Sequence, residues 1–224
     1  DESSVADAIE KLAAPYADKI KRDVMGNLIV RKKGSGPKVM FAAHMDSLGL
    51  IVTHIEKEGF LRFGRIGGVD PKSVLYTPVR FKNGVRGTIA ANEDADPAKL
   101  KPDDLYLDIG VSSGEEAKAL VNVGDVAVYA AEPAQAGGCV ISPYQDNRIS
   151  CVVLLMALEQ LGQSGNDLYF VFTTQEEVGL RGARTAAYAI DPDYGVAVDV
   201  TASADLPGTK HSASSVQGGG AAIK

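Results

Sequence analysis

His44 and Asp46 are the residues of this 224-residue chain whose types and spacing first suggest chemistry. They follow the apolar run at residues 39–43, which has the composition of a buried strand. Because strand side chains alternate with a period of two, the imidazole and the carboxylate project the same way. This arrangement suits a metal-binding histidine whose ring is oriented by a carboxylate. A core histidine beside a capping aspartate also fits, and both interpretations stay open on this stretch alone.

Further carboxylates lie at the ends of predicted elements: Asp146, Glu176, Glu177 and Asp199. Two of them follow an apolar strand predicted at residues 168–174, one lies near the end of a strand at 195–200, and one precedes a helix at 148–161. In open α/β sheets, functional sites gather at the carboxyl ends of strands. Acids meeting there would repel one another unless cations neutralised them. Oxygen ligands with an imidazole suit Zn²⁺, Co²⁺ or Mn²⁺, and a shared carboxylate suits two ions.

Each of these acids also has a plainer interpretation. An Asp-Asn-Arg sequence such as the one at Asp146 more often forms a helix cap with a surface ion pair, and a Glu-Glu pair more often lies on a solvated face. After a buried strand, however, one glutamate can bind a metal while its neighbour accepts a proton from water as general base. Taken together, in this order and at strand ends, the acids favour a metal site.

The elements that must position these residues form an α/β pattern on both sides of a different middle segment. The strand at 168–174, a helix at 182–190 and the strand at 195–200 make a βαβ unit, which predicts a parallel sheet. Residues 67–138 instead contain short strands separated by Gly, Asn, Asp and Pro, which is typical of a small β-barrel or sandwich. We therefore predict an α/β domain, residues 1–66 and 139–224, interrupted by an inserted domain at 67–138.

Three further helical segments are predicted outside that βαβ unit. The first runs from Ser3 to about Ile20. The second, at residues 113–120, begins with a Ser-x-x-Glu capping box. The third, at residues 148–161, is apolar almost all round and is therefore expected to be well buried.

Composition excludes several classes of function. The net charge of −6 argues against nucleic-acid binding, which needs clustered Lys and Arg. Cys139 and Cys151, the two cysteines, lack a paired spacing and predict no disulfide framework. No apolar run is long enough to span a bilayer, and the first residues lack the basic-then-apolar layout of a secretory signal. The expectation is a soluble, cytoplasmic protein with no membrane partner.

Six segments occur in an order that resembles the M42 family of metalloaminopeptidases: AAHMDSLGLIV, FLRFGRIGGVDP, LDIGVSSGEEA, QDNR, TTQEEVGLRGA and VAVDVT. The resemblance covers essentially the whole chain. It implies a zinc-peptidase-like mixed sheet flanked by helices and an inserted small β-barrel domain used in oligomerisation. It also implies an oligopeptide substrate, a homo-oligomer that could be a dodecamer, and two divalent metal ions, Zn²⁺ or Co²⁺.

The resemblance further implies roles for the residues identified above. Asp46 would orient the imidazole, and Glu176 would be the general base of an aminopeptidase that attacks the first peptide bond with a metal-activated water. The implied metal ligands are His44, Asp146, Glu177 and Asp199, with Asp146 shared between the two ions.

The chain also departs from the family pattern. Ser47 stands where the family usually has Glu, and Asn147 where it usually has a second Asp; neither position is an implied ligand. The family's last metal-binding histidine lies beyond the region present here, so the chain resembles a truncated member. His54 is expected to be structural, and His211 is not expected to be a ligand. The alternatives are an inactive or truncated assembly module and a glucan hydrolase, as some relatives have been labelled.

Overall fold

The computed structural model describes residues 2–209 and 215–223. The helices are α1 (Ser3–Ala13), α2 (Pro71–Val74), α3 (Gly114–Leu120), α4 (Gln145–Gln160) and α5 (Arg181–Ile190), with 3₁₀ turns at Ala14–Tyr16 and Pro102–Asp104. The strands are β1 (Lys19–Arg22), β2 (Leu28–Lys32), β3 (Lys38–His44), β4 (Gly49–Ile55), β5 (Leu61–Ile66), β6 (Pro78–Phe81), β7 (Arg86–Ala91), β8 (Leu105–Asp108), β9 (Val126–Tyr129), β10 (Ala134–Ala136), β11 (Cys139–Ile141), β12 (Asp167–Thr173) and β13 (Tyr194–Ala197). Among these described residues, no helix is both long and apolar enough to cross a lipid bilayer.

The chain divides into two compact units, and each is assembled from separate stretches of sequence. The barrel unit comprises Asp46–Gln145 and Thr174–Thr185. The sheet unit comprises Glu2–Met45, Asp146–Thr173 and the residues from Ala186 onward.

The sheet unit contains a five-stranded mixed sheet in the order β1-β2-β12-β3-β13. Strands β12 and β13 both run parallel to β3, and β1 and β2 are antiparallel to their neighbours. The parallel register places Thr173 opposite His44, so the carboxyl ends of β12 and β3 meet at one edge. This confirms the predicted α/β fold with a mixed sheet, and the βαβ pattern correctly indicated parallel strands.

Successive side chains of a strand point to opposite faces of the sheet, and here both faces are apolar, so helices pack on both and form two cores. Phe170 and Phe172 of β12 join the core formed with α1 and α4, whereas Val171 joins a second core with Ala186 and Ile190 of α5. All of these side chains are at least nine-tenths buried. A strand that buries both faces reads as a continuous apolar run, which explains the sequence pattern of β12.

The barrel unit contains a closed antiparallel barrel with the strand order β4-β5-β8-β7-β6-β9. Alternate side chains point inward, among them Leu50 and Val52 of β4 and Leu105 and Leu107 of β8. The small β-barrel predicted from the sequence is therefore present. Its strands β4 and β5 precede residue 67, where the sequence analysis begins the inserted domain; the domain limits themselves stay a prediction.

Two of the additional helices match their predicted positions at least in part, and one is shorter than predicted. Helix α3 begins after Ser113, whose hydroxyl accepts the backbone N–H of Glu116, as the capping box predicts. Helix α1 ends at Ala13 rather than near residue 20. Pro15 has no N–H for a helical hydrogen bond, so the chain tightens into a 3₁₀ turn and then continues as β1.

Helix α4 has the expected position but is not well buried, so that part of the prediction is wrong. Its buried apolar stripe is Cys151, Leu154 and Leu158, which pack in the core with α1 and the sheet. Four other apolar side chains of the helix are 44% to 51% exposed: Ile149, Val152, Val153 and Met156. An all-round apolar helix needs partners on every side, and the described chain supplies them on one side.

Candidate metal and catalytic site

Three predicted ligands converge in the sheet unit. His44 is the last residue of β3 and is 3% exposed. Its Nε2 lies 3.1 Å from Oδ1 of Asp146 and 4.0 Å from Oδ1 of Asp199. One possible ligand atom from each of the three residues lies within 4.8 Å of the others. The structure therefore brings together an imidazole and two carboxylates that lie about 100 and about 150 residues further along the chain.

Asp146 and Asn147 interrupt the start of α4, because their backbone angles are not helical and the peptide bond between them is cis. The Asn147 side chain is fully buried and donates from Nδ2 to the carbonyl of Val198, at a distance of 3.0 Å. Val198 in turn donates its backbone N–H to Ala42 of β3. These bonds connect the backbone next to Asp146 with the backbone next to Asp199, so the positions of the two carboxylates are coupled.

Backbone contacts also hold the end of β3 that carries the imidazole. The N–H of Met45 donates to the carbonyl of Thr173 at 2.7 Å, which continues the β3–β12 pairing beyond His44. From α4, Arg148 Nε donates to the carbonyl of Met45, and the thiol of Cys151 donates to the carbonyl of His44. The sequence analysis identified neither contact, since both involve backbone acceptors that no side-chain pattern reveals.

The other three predicted residues converge in the barrel unit. The carboxylate of Asp46 accepts the backbone N–H of Glu176 at one oxygen and that of Glu177 at the other, each at 3.0 Å. Asp46 is 5% exposed and the two bonds are partly buried; hydrogen bonds to a charged group are stronger than those between neutral groups. Asp46 thus positions the glutamate pair; its expected role in orienting the imidazole stays a prediction.

The segment that carries the glutamates is a compact turn, and it packs closely against Gly67. The N–H groups of Gly179 and Leu180 both donate to the carbonyl of Glu176. Gly67 has φ +81°, and a Cβ there would lie 2.5 Å from Leu48 Cδ2 and 3.1 Å from Glu177 Cβ. Only glycine fits this approach. The Gly67-Gly68 pair in the sequence could have indicated it.

The donor set in the sheet unit fits a divalent transition metal. A site made of imidazole nitrogen and carboxylate oxygen suits Zn²⁺, Co²⁺ or Mn²⁺, whereas ions that prefer thiolate ligands would bind it less well. The side chains of Asp146 and Asp199 are 64% and 48% exposed, so an ion can reach both carboxylates from solvent. His54 lies exposed on β4 and is not in this group, while His211 lies outside the described residues.

The chain is similar in sequence and in structure to known proteins. The sequence pattern of the M42 glutamyl aminopeptidase family matches residues 26–224. A protein of Acetivibrio thermocellus that carries a provisional aminopeptidase name is 46% identical over all of this chain and 68% of its own length. An aminopeptidase of Desulfurococcus kamchatkensis has a similar structure, with a TM-score of 0.87 and 42% identity over 94% of this chain and 61% of its own.

A third similar protein is the TET1 peptidase of Pyrococcus horikoshii, described as able to assemble into a tetrahedron or a large octahedral shell. The TM-score is 0.81 and the identity 33%, over 92% of this chain and 67% of that one. The present chain therefore spans between 61% and 68% of the lengths of these three proteins. The family match covers most of the chain, and the two solved structures share its fold. The chain belongs to the M42 glutamyl aminopeptidase family.

Proposed function

We propose that this chain belongs to a metal-dependent aminopeptidase that removes N-terminal residues from oligopeptides. The observation that carries the proposal is the cluster of His44, Asp146 and Asp199, whose possible ligand atoms lie within 4.8 Å of one another. A buried imidazole beside two partly exposed carboxylates is an arrangement that a divalent cation stabilises.

In this proposal two divalent ions, Zn²⁺ or Co²⁺, are held by a set of four residues: His44, Asp146, Glu177 and Asp199. When bound, such ions act as Lewis acids that polarise a peptide carbonyl and lower the pKa of water. Asp146 would be the ligand shared between them. The number and identity of the ions rest on the family resemblance.

Glu176 is the proposed general base, and its placement follows from Asp46. Glu176 accepts a proton from the attacking water and returns it to the amine that leaves, so that the carboxyl group ends the cycle ionised. The Glu176 and Glu177 N–H groups both donate to Asp46, and these two hydrogen bonds hold the backbone of both glutamates. The two glutamates therefore stay adjacent while one acts as base and the other as ligand. A homo-oligomer, with the dodecamer as one candidate, belongs to the same proposal, as does a cytoplasmic location.

The first test measures metal binding, because it does not depend on turnover. Metal-stripped protein is dialysed against Zn²⁺ or Co²⁺, and the bound metal is quantified for wild type, His44→Ala and His54→Ala. Loss of an outer partner of a ligand already weakens metal binding by about 10- to 100-fold, so His44→Ala should weaken it at least that much. His54→Ala is the matched control, since His54 is exposed on β4 and outside the cluster.

The second test measures hydrolysis of a panel of aminoacyl p-nitroanilides after metal is added back. Glu176→Gln should abolish turnover and keep the metal, whereas Glu115→Gln, an exposed residue of α3, should change neither. Retained turnover in Glu176→Gln would refute the role of Glu176. Metal-independent hydrolysis of a glucan would favour the alternative of a glucan hydrolase, and equal metal binding by His44→Ala and wild type would overturn the proposed site.

A further inference from the structure

The barrel unit contains a cavity of about 250 Å³ that none of the proposed catalytic residues lines. Its apolar walls are Leu48, Val69, Val74 and Tyr129, and Ser73 and Thr77 are among its polar lining residues. A cavity of about 150 Å³ with apolar walls is large enough to hold benzene. The space here therefore accommodates a leucyl, methionyl or benzyl side chain.

The cavity lies next to the proposed metal ligand Glu177. Leu48, one of its walls, and the Glu177 side chain both crowd the same face of Gly67: a Cβ on Gly67 would lie 2.5 Å from Leu48 Cδ2 and 3.2 Å from Glu177 Oε2. Gly68, the next residue, is itself part of the lining. A group bound beside the Glu177 carboxylate would therefore have the cavity within reach of its substituents.

The charges around the cavity disfavour an acidic occupant. Burial, followed by the charges of Tyr144 and Glu177, raises the pKa of Tyr129 to about 12, so its ring is a neutral wall at ordinary pH. Two carboxylates lie near the cavity: Asp70 lines it, and Glu177 lies beside Gly67, next to the lining residue Gly68. Because water screens the charge of exposed Asp70, the repulsion of an acidic occupant comes mainly from the partly buried Glu177, and that occupant would also have to leave water for apolar walls.

A cationic occupant gains little from the same carboxylates. One Asp70 oxygen already accepts the N–H of Lys72 at the start of α2, and Asp70 is exposed, so water screens its charge. An ammonium group inside the cavity would have to leave water for walls made of Leu48, Val69 and Val74. A neutral apolar side chain has no such cost and gains from removing its surface from water.

We propose that this cavity binds the side chain of a neutral apolar residue of the substrate, of the size of Leu, Met or Phe. The inference rests on the proposed aminopeptidase function, which supplies the substrate, and it adds Leu48, Val69, Val74, Tyr129 and Ser73 as specificity residues. The substrate preference expected from the cavity is Leu, Met or Phe first, Lys next and Glu last.

Tryptophan fluorescence gives a test that needs neither metal nor turnover, because the chain contains no tryptophan. Ser73→Trp places a single indole at the cavity, and Lys72→Trp places one on the same short helix outside the lining. Both positions are exposed, so both variants should fold. Ser73→Trp should emit at shorter wavelength than Lys72→Trp, and L-leucinamide, but not L-glutamic acid α-amide or glycinamide, should shift the emission of Ser73→Trp. Identical, solvent-like emission from both variants with no response to L-leucinamide would overturn the proposal.

A kinetic test separates failure of this inference from failure of the proposed function. In metal-loaded protein, Ser73→Trp and a second filling variant, Thr77→Phe, should lower the ratio of kcat/KM for leucyl to alanyl p-nitroanilide at least about tenfold, the effect of one or two methylenes in an apolar pocket. Lys72→Trp should keep the wild-type ratio. Hydrolysis with the same ratio in all variants, or a wild-type preference for Glu or Lys over Leu, would overturn the cavity assignment. No hydrolysis by any variant, together with the expected fluorescence response, would contradict the proposed function and support the cavity.

Discussion

Replacing Asp46 by Asn removes one acceptor from the pair of partly buried hydrogen bonds that holds the backbone of Glu176 and Glu177. The two carboxylate oxygens of Asp46 accept the N–H groups of Glu176 and Glu177, each at 3.0 Å. An asparagine amide has a single oxygen, and its NH₂ group would face a backbone N–H, donor against donor. One of the two backbone N–H groups must therefore lose its acceptor, and the other then donates to a neutral oxygen.

The magnitude follows from the strength of these two bonds. A hydrogen bond to a charged group contributes about 1.5–3 kcal/mol, and a bond between neutral groups about 0.5–1.5 kcal/mol. Losing one charged bond and weakening the other gives a cost of roughly 2–4 kcal/mol for the turn that carries the glutamates. At 1.4 kcal/mol per factor of ten, local opening of this turn should become between about 30-fold and 700-fold more frequent.

Hydrogen exchange of the Glu176 and Glu177 amides measures that opening directly, and it requires neither metal nor substrate. Asp46→Asn should accelerate exchange of both amides by the factors above and lower the urea midpoint. Asp108→Asn is the matched control, because Asp108 is exposed and accepts the N–H of Gly110 in a turn, which the asparagine oxygen can still accept. If Asp46→Asn left the exchange of both glutamate amides at the wild-type rate, the argument that Asp46 positions them would be refuted.

Two further predictions concern stability. Leu154→Ala should lower the free energy of unfolding by about 2–5 kcal/mol because Leu154 is 2% exposed. Met156→Ala, two residues further along α4, should change it by less than about 0.5 kcal/mol because Met156 is 51% exposed. Urea unfolding of both variants measures these changes, and equal losses would contradict the burial argument. The Arg31 guanidinium, bonded through Nε and Nη2 to both oxygens of buried Asp167, lowers the pKa of that carboxyl below its ordinary value of 3.8. The stabilisation that ionised Asp167 provides is therefore complete above pH 3.8 and is lost as pH falls through the lower pKa of the folded state. Asp167→Asn should be less stable than wild type at pH 7, and the difference in unfolding free energy should disappear below about pH 4 in a series of denaturation curves. A difference that stayed constant down to about pH 2 would refute this linkage.

The sequence predicted the sheet well where the relevant information is local. The apolar runs that became β3 and β12 bury both faces, so their composition alone indicates central strands. Because the two strands are parallel, the residues at their carboxyl ends must lie at one edge of the sheet, and Thr173 does lie opposite His44. The end of helix α1, in contrast, was predicted too late. Apolar residues continue at helical spacing as far as Tyr16, and this pattern extended the predicted helix past Pro15, where the structure has a 3₁₀ turn.

The sequence predicted the barrel less completely, because closure depends on pairings between distant strands. Strands β4 and β5 look like any other strands of an α/β domain in their composition. What places them in the barrel is their hydrogen bonding to β9 and β8, which lie further along the chain. The cavity lined by Tyr129 was missed for the same reason: the alternation of β9 predicts which side chains share a face, not which neighbouring segments leave space beside them.

His44 shows why composition at one position could not decide between structure and chemistry. At 3% exposure it is as buried as any core histidine, so burial alone supports the plainer interpretation as strongly as the functional one. The difference lies in its neighbours, since a core histidine needs a single acceptor, whereas here carboxylate oxygens of Asp146 and Asp199 lie 3.1 Å and 4.0 Å from the same nitrogen. An imidazole nitrogen with two carboxylate oxygens around it is a donor set that a divalent cation binds. The choice thus depends on residues more than a hundred positions away, which only the fold brings to the end of β3.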